Sequence, residues 1–282
     1  MVSLRPLPAP RVGKVGSVFI TFLSDFGLED DFVGTCHGVM KRIVPEVEII
    51  DITHGIEPQQ VLQGAFVLAN TLPYMPAGVH LAVVDPGVGS DRRGIVLHAA
   101  DRTFVGPDNG LLLPAADQLG EVTGAWELAN PAYRLEPVSF TFHGRDVFAP
   151  AAAHLANGLD PAELGPSLDP SELVRLPLPE PVMGESWARA HVLIVDRFGN
   201  VQLNLTRAHL EQLVIVPGSR VELELALERY YAVAARTFAD TRLGEILVYE
   251  DAYGNVAVAI RGGNAAETLS ARPGDELRVR PR

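Results

Sequence analysis

Residues 18–156 alternate between short apolar runs and amphipathic stretches, and this alternation restricts the fold more than any other feature of the chain. Val18–Leu23, Val47–Ile52, Val79–Val84 and Gly94–Ala99 have strand length and β-rich composition. Asp31–Val44 puts Phe32, Cys36, Val39, Met40 and Ile43 on one helical face, with Asp30 or Asp31 as its cap. Pro58–Leu72 reads as a second helix with Pro58 in its first turn, where a missing N–H costs nothing. Arg145–Ala156 reads as a late helix. Strands and helices at such short spacing imply an α/β domain with a largely parallel sheet covered by helices.

Proline then accumulates at 161, 166, 170, 177, 179 and 181, a stretch that propagates neither helix nor sheet. Beyond it the pattern changes to short strands, Ala190–Val195, Arg220–Leu225, Tyr230–Ala235, Glu245–Tyr249, Val256–Arg261 and Leu277–Arg280, separated by Gly and Asn turns. That is the signature of a small C-terminal antiparallel β-barrel or sandwich. The expected organisation is a flexible tail over residues 1–16, an α/β N-terminal domain over 17–184 and a barrel domain over 185–282.

A chain of 282 residues with 47% apolar content has enough material for two cores. No run approaches the roughly 18 apolar residues of a membrane span. The net charge of −12 argues against a nucleic-acid partner, because phosphate binding needs a basic surface. A single cysteine, Cys36, excludes an internal disulfide and a Cys-based zinc site, and its place in an apolar-periodic stretch makes it a core residue. Met1 to Gly16 lacks the apolar core of a secretory signal, so a cytoplasmic location is expected.

Two carboxylate clusters follow buried-type strands, Ser24-Asp25-Phe26-Gly27-Leu28-Glu29-Asp30-Asp31 and Asp85-Pro86-Gly87-Val88-Gly89-Ser90-Asp91-Arg92-Arg93. The first offers acceptors for a cation or a sugar diol; the second sets an acid and two guanidinium groups in one short Gly-rich loop. Asp85 with Arg92 or Arg93 is equally compatible with a loop-stabilising ion pair. The Gly87 and Gly89 pattern lacks the Lys-Ser/Thr of a phosphate loop. Pro107-Asp108-Asn109-Gly110 reads as a turn. In Phe142-His143-Gly144-Arg145-Asp146, an imidazole, a guanidinium and an acid meet at a helix start, where Asp146 is also a cap candidate. A metal site from Asp25, Asp30, Asp85 and His143 finds no support in any His-x-His or His-Glu-x-x-His spacing, and no metal is expected. Asp196-Arg197-Phe198-Gly199-Asn200 and Asp251-Ala252-Tyr253-Gly254-Asn255 echo one another, and aromatic-Gly-Asn is first of all hairpin-turn chemistry.

Ser24-Asp25-Phe26-Gly27, Asp85-Pro86-Gly87-Val88-Gly89, Pro107-Asp108-Asn109-Gly110, Phe142-His143-Gly144-Arg145-Asp146 and Phe198-Gly199-Asn200 occur together in the order of one family. From about Val18 to its C-terminus the chain resembles the S-adenosyl-L-methionine (SAM) hydroxide adenosyltransferases, or SAM hydrolases, which are related to fluorinases and chlorinases. The resemblance implies an α/β domain followed by a small β-barrel, a homotrimer, and a ligand held between the α/β domain of one subunit and the barrel of the next. It assigns Asp25 to the ribose hydroxyls, Asp30 to the methionine ammonium, Asp196 to the methionine end, and Phe198 and Asn200 to adenine, with Phe238 as a stacking candidate. Asp85, Arg92 and His143 match the family's Asp-Arg-His triad beside the reacting carbon. Arg93 leaves the arginine assignment open by one position.

The expected reaction is hydrolysis of SAM to adenosine and L-methionine by water at ribose C5′, without a cofactor. A carboxylate at Asp85 repels a halide in a poorly screened pocket and accepts the proton that water must lose. The competing readings are a non-catalytic adenosine- or SAM-binding protein, a halide-using adenosyltransferase of the same fold, and a metal-dependent phosphoesterase.

Overall fold

The structure, a computed structural model, describes residues 19–282, so the expected tail over 1–16 lies outside the described residues. Among them the chain forms two compact units that divide between Leu176 and Pro177.

The first unit carries β1 (Phe19–Ser24), α1 (Phe32–Ile43), β2 (Glu48–Thr53), α2 (Val61–Thr71), β3 (Val79–Val83), β4 (Gly94–Ala99), β5 (Arg102–Pro107), α3 (Leu113–Leu119), β6 (Val122–Glu127) and α4 (Ala149–Ala156). Its six strands make one sheet in the order β2-β1-β3-β5-β4-β6. The first four strands in this order run parallel, and β4 alone is reversed, antiparallel to both of its neighbours β5 and β6. Alternation along the strands serves both faces of the sheet. Ile20, Phe22, Leu81 and Val83 pack into the core shared with Cys36, Met40 and Ala152 of α1 and α4. Leu23, Ala82 and Val84 pack into the core shared with Leu68 of α2 and Ala116 of α3. Cys36 is fully buried, and burial pushes its thiol up to about 12, which makes it inert packing material.

The second unit carries β7 (Val182–Met183), β8 (Ala188–Val195), β9 (Val201–Thr206), α5 (Arg207–Gln212), β10 (Arg220–Leu225), β11 (Glu228–Ala234), β12 (Ile246–Glu250), β13 (Asn255–Ile260), α6 (Ala265–Leu269) and β14 (Glu276–Pro281). The order β14-β10-β11-β12-β13-β9-β8 closes on itself through the β14–β8 ladder, and β7 adds two residues to β8. Closure removes the unpaired edges that an open sheet would expose. One pair, β11 with β12, is parallel, because the segment between them crosses over rather than making a hairpin. Leu203, Leu205, Val221, Leu223, Val258, Leu277 and Val279 fill the barrel.

The α/β-then-barrel architecture is as expected, but several local expectations change. Pro58 sits in the turn before α2, not in its first turn; the Glu57–Gln60 turn places Pro58 ahead of Gln59, whose φ is +68°. Asp31 occupies the cap position of α1, but its carboxylate accepts from Thr35 Oγ1 at 3.2 Å and bonds no backbone N–H. Phe32 is exposed, and Val33 takes its place on the buried face. The late helix starts with a wide turn over Gly144–Phe148 before α4. Strands β5, β6, β7 and β9 have no counterpart in the residue pattern.

Candidate active site

Strands β1 and β3 are parallel neighbours, with Ser24 opposite Val83, so both carboxylate clusters leave the sheet at the same edge. Carboxyl ends of adjacent parallel strands are where α/β sheets gather chemistry. Two successive tight turns fold the second cluster back on itself: Val88 N–H donates to Asp85 O at 3.2 Å and Ser90 N–H to Gly87 O at 3.1 Å. Ser90 Oγ then accepts from Arg92 N–H at 3.3 Å. Gly89 has φ +79°, and a Cβ there would lie 2.3 Å from Phe140 O, so only glycine lets the loop pass.

The result is a chain of three side chains. Arg92 Nε donates to both Asp85 carboxylate oxygens at 2.8 and 3.0 Å, and its Nη2 bonds Oδ2 as well. The same Nη2 lies 3.0 Å from His143 Nδ1. Asp85 and Arg92 side chains are only 6% and 12% exposed, so the pair works in a poorly screened setting. The Phe148 ring, 5.0 Å from Arg92 Cζ, braces the guanidinium from below.

This geometry separates two adjacent arginines that the residue pattern leaves equivalent. Arg93 turns to Asp108, donating from Nε at 3.0 Å and Nη2 at 2.6 Å, and reaches Glu172 O at 3.2 Å. Asp108 in turn accepts from Val174 N–H at 2.9 Å, and Asn109 Nδ2 donates to Val84 O at 2.8 Å. The Pro107–Gly110 segment is therefore a turn that also ties the sheet edge to the 172–174 segment.

A guanidinium has donors and no acceptor, so His143 Nδ1 facing Arg92 must present its lone pair. Burial, and next the Arg92 charge, hold His143 below the ordinary imidazole value, with Asp85 opposing. The neutral ring therefore carries its proton on Nε2, as a donor. Gly144 follows without a Cβ because Phe26 Cζ would lie 2.8 Å away. Phe26, Phe32 and Phe142 form an edge-to-face trio with centroids 5.2–6.0 Å apart. The Ser24–Gly27 and Phe142–Asp146 motifs are thus packed against each other. Asp146 does not cap the helix; it pairs with Arg145 at 2.6 Å and accepts from Ser139 N–H at 2.8 Å.

Asp25 accepts from Gln59 N–H at 2.8 Å. Burial first, and the nearby Asp85 charge last, raise its carboxyl above the usual value, while the Gln59 N–H opposes them. Like-charge repulsion from Asp85 places the two acids in one electrostatic neighbourhood. Gln59 is a site residue that the residue pattern misses: nothing in Pro58-Gln59 announces a positive φ, which normally calls for Gly or Asn. Asp30 lies on the exposed stretch between β1 and α1.

The remaining expected residues form a second group, in the barrel unit. Asp196 Oδ1 accepts from Phe198 N–H at 2.8 Å and Asn200 N–H at 2.9 Å, and Oδ2 accepts from Asn200 Nδ2 at 2.7 Å. Gly199, at φ +79°, hands its carbonyl to Ala266 N–H at the start of α6. Asp251 repeats the pattern, accepting from Tyr253 N–H at 2.8 Å and Asn255 N–H at 2.9 Å. The hairpin-turn reading of both echoes is therefore correct as geometry. Phe198 is 78% exposed, although a ring normally seeks cover. The Phe238 ring lies 5.0 Å from that of Tyr249, tilted by 55°, and burial, then Asp196 and Asp251, push the Tyr249 hydroxyl up to about 12.

Known proteins place the chain in a family. Residues 20–165 match the model of the SAM hydroxide adenosyltransferase N-terminal domain, and residues 190–278 match that of its C-terminal domain. An (R)-S-adenosyl-L-methionine hydrolase from Salinispora tropica is 52% identical over 93% of this chain and 97% of its own length. An uncharacterized conserved protein from Thermotoga maritima superposes with a TM-score of 0.86 at 38% identity, covering 92% of this chain and 99% of that one. A fluorinase from Nocardia brasiliensis is 27% identical over 93% of this chain and 96% of its own length. The chain belongs to the SAM hydroxide adenosyltransferase family.

Proposed function

We propose that this enzyme hydrolyses S-adenosyl-L-methionine to adenosine and L-methionine, with Asp85, Arg92 and His143 acting on the attacking water. The observation that carries the mechanism is the Asp85–Arg92–His143 chain, with its Arg92-facing Nδ1. The water oxygen forms a bond to ribose C5′ as the C5′–S bond breaks. The bonding pair moves onto sulfur, which leaves as the neutral thioether of methionine, so the leaving group needs no acid. The water proton passes to Asp85 and then to solvent, and one proton is released overall.

The tautomer divides the labour. His143 Nδ1 is engaged by Arg92, so the imidazole does not serve as the base through that atom; its Nε2–H donates to the water oxygen and fixes its orientation. Asp85 is the remaining acceptor. Arg92 keeps Asp85 anionic and offers positive charge to the developing hydroxide. The carboxylate that accepts a proton from water repels a halide, which separates this chain from the fluorinase chemistry of its more distant relative.

Asp25 would receive the ribose hydroxyls. Its half-buried carboxylate has backbone donors from Gln59 and from its own residue, and two sugar hydroxyls restore the solvation that burial removes. Holding the ribose fixes the line of attack, and positioning of this kind contributes roughly 7–11 kcal/mol in favourable cases. Asp30 and Asp196 would take the methionine end, and Phe198, Asn200 and Phe238 the adenine. The exposed rings of Phe198 and Phe238 support a ligand or a neighbouring subunit as their cover, in keeping with a homotrimer whose subunits share each site. Sedimentation at three chain masses checks the assembly. A single buried free thiol suits the cytoplasm, to which we assign the protein.

Incubating the purified protein with SAM and resolving the products by chromatography tests the reaction. Adenosine and methionine in equal amounts are expected, unaffected by chelators. Formation of 5′-halo-5′-deoxyadenosine at high halide without adenosine overturns the assignment to water, and recovery of intact SAM over many enzyme equivalents overturns catalysis.

A further inference from the structure

Three side chains outside the Asp85 cluster converge on one point. His37 comes from α1, Asp51 from β2, and His54 from the segment just after β2. Both imidazole Nε2 atoms face the same carboxylate oxygen, Asp51 Oδ1, at 2.9 Å from His37 and 3.2 Å from His54. The donor atoms all lie within 4.8 Å of one another.

Two imidazoles and a carboxylate are the donor set that zinc and its first-row neighbours select. Around a tetrahedral zinc, with bonds of about 2.0–2.1 Å, donor atoms sit roughly 3.3 Å apart. The two imidazole–carboxylate spacings here, 2.9 and 3.2 Å, are within a few tenths of an ångström of that. His54 is the telling member. Its side chain is 2% exposed, yet its Nε2 makes no hydrogen bond of acceptable geometry, although Asp51 Oδ1 is only 3.2 Å away. Buried polar atoms are rarely left so, because desolvation without a partner is costly.

The surroundings are those of a metal ligand. The opposite nitrogen of His54, Nδ1, is held by Ser24 Oγ at 2.8 Å, an outer hydrogen bond that orients a ligating imidazole. The Phe22 ring stands edge-on to His54 at 4.7 Å and 6.0 Å from His37, walling off the inner side. His37 and Asp51 are 31% and 39% exposed, which leaves an entry path and room for water as a further ligand.

We propose that His37, Asp51 and His54 form a binding site for one divalent first-row transition-metal ion, held by the two Nε2 atoms and Asp51. An ion there braces the Ser24–Gly27 segment, because His54 also accepts from Gly27 N–H through its carbonyl at 2.8 Å. The site lies outside the Asp85–Arg92–His143 chain and supplies no step of the hydrolysis. The sequence hides it: Asp51 and His54 are an i,i+3 pair at a strand end rather than on a helix, and His37 joins them from α1, 14 residues before Asp51.

The test uses untagged full-length protein dialysed against Co²⁺ and, separately, Zn²⁺, with bound metal quantified. Wild type should retain one ion per chain, give visible Co²⁺ absorption bands of low coordination number, and show a higher thermal midpoint in Zn²⁺. His37→Ala and Asp51→Asn should bind at least tenfold more weakly and lose both the bands and the Zn²⁺ shift. The near-isosteric Asp51→Asn guards against a folding artefact. His191→Ala, which alters a histidine paired with Glu276, should bind like wild type. Retention of no ion at millimolar metal, or equal binding by wild type and both ligand variants, overturns the site.

Discussion

Arg92 and Arg93 are neighbours in sequence, and each grips a largely buried carboxylate, Asp85 and Asp108. The pairs diverge at the next contact. Arg92 continues to an imidazole, His143, whereas Arg93 continues to backbone at Glu172, and its acid goes on to Val174 N–H. A guanidinium–carboxylate pair locked into backbone is a strap. A pair whose free end meets a neutral imidazole can place and deprotonate a water. The contrast shows that the pair alone does not define a site; what completes it does.

The largest effect should come from Asp85→Ala, which removes the proton acceptor. Loss of general-base assistance lowers kcat by roughly 10²–10⁴-fold, with KM changed only a few-fold. Arg93→Gln, the matching change in the second pair, should leave kcat close to wild type in steady-state assays of adenosine release. If Arg93→Gln slowed turnover as much as Asp85→Ala, the comparison would collapse.

Arg92→Lys should come next. Lysine keeps the charge but lacks the fork that reaches Asp85 and His143 together, so kcat should fall by roughly 10²-fold. Arg93→Lys should instead cost about 1–2 kcal/mol of stability in urea unfolding, as hydrogen bonds to Asp108 and Glu172 are lost, with the rate preserved. Equal rate losses in both variants would mean that the imidazole contact confers nothing.

The pH profile sharpens the same contrast. His143 must be neutral to accept from Arg92, and its pKa is held below the ordinary value by burial and then by Arg92. Activity should therefore rise with pH through a midpoint below about 6.5 and be full at neutrality. In Arg92→Gln the neighbouring positive charge is gone, so the residual activity should show that midpoint moved upward. An unmoved midpoint would detach His143 from Arg92.

How much of this was legible in the residues depends on where each cause lies. Periodicity located β1, α1, β3 and the barrel strands other than β7 and β9, because burial on one or both faces imposes it. The Asp196 and Asp251 loops were readable because Asp-x-aromatic-Gly-Asn encodes a local turn. The residues alone left Arg92 and Arg93 equivalent and only the resemblance favoured Arg92, since the distinction rests on the backbone path through Gly89 and on Phe148, far away in sequence. Gln59 was hidden for a similar reason: its φ of +68° is set by what surrounds the turn, not by its own side chain. Asp146 read as a cap because the fragment predicts a helix start; the wide first turn and Arg145 redirect it.

A third arginine offers the gentlest test. Arg102 Nη1 lies 3.3 Å from His80 Nε2, and His80 Nδ1 is 2.8 Å from Thr21 Oγ1, while the acid beside Arg102, Asp101, is 3.8 Å away and 76% exposed, so this Arg–His contact has no buried carboxylate at its end. Burial, then the Arg102 charge, push His80 down to about 3. The unfolded chain, with an ordinary imidazole near 6.5, binds more protons than the folded one between about pH 3 and 6.5. Stability contributed by neutral His80 is therefore complete above that window and is lost as the pH falls through it. The loss is on the order of 2 kcal/mol between pH 7 and pH 5. Urea unfolding of wild type and His80→Gln at both pH values isolates this contribution, since the other groups titrate alike in the two proteins. The wild type should lose more stability than the variant by about that amount, while kcat at neutral pH stays the same in both. Parallel pH dependences would remove His80 as the cause. A fall in kcat would show that the Arg102–His80 contact bears on the reaction, against the lesson of the Asp85 chain.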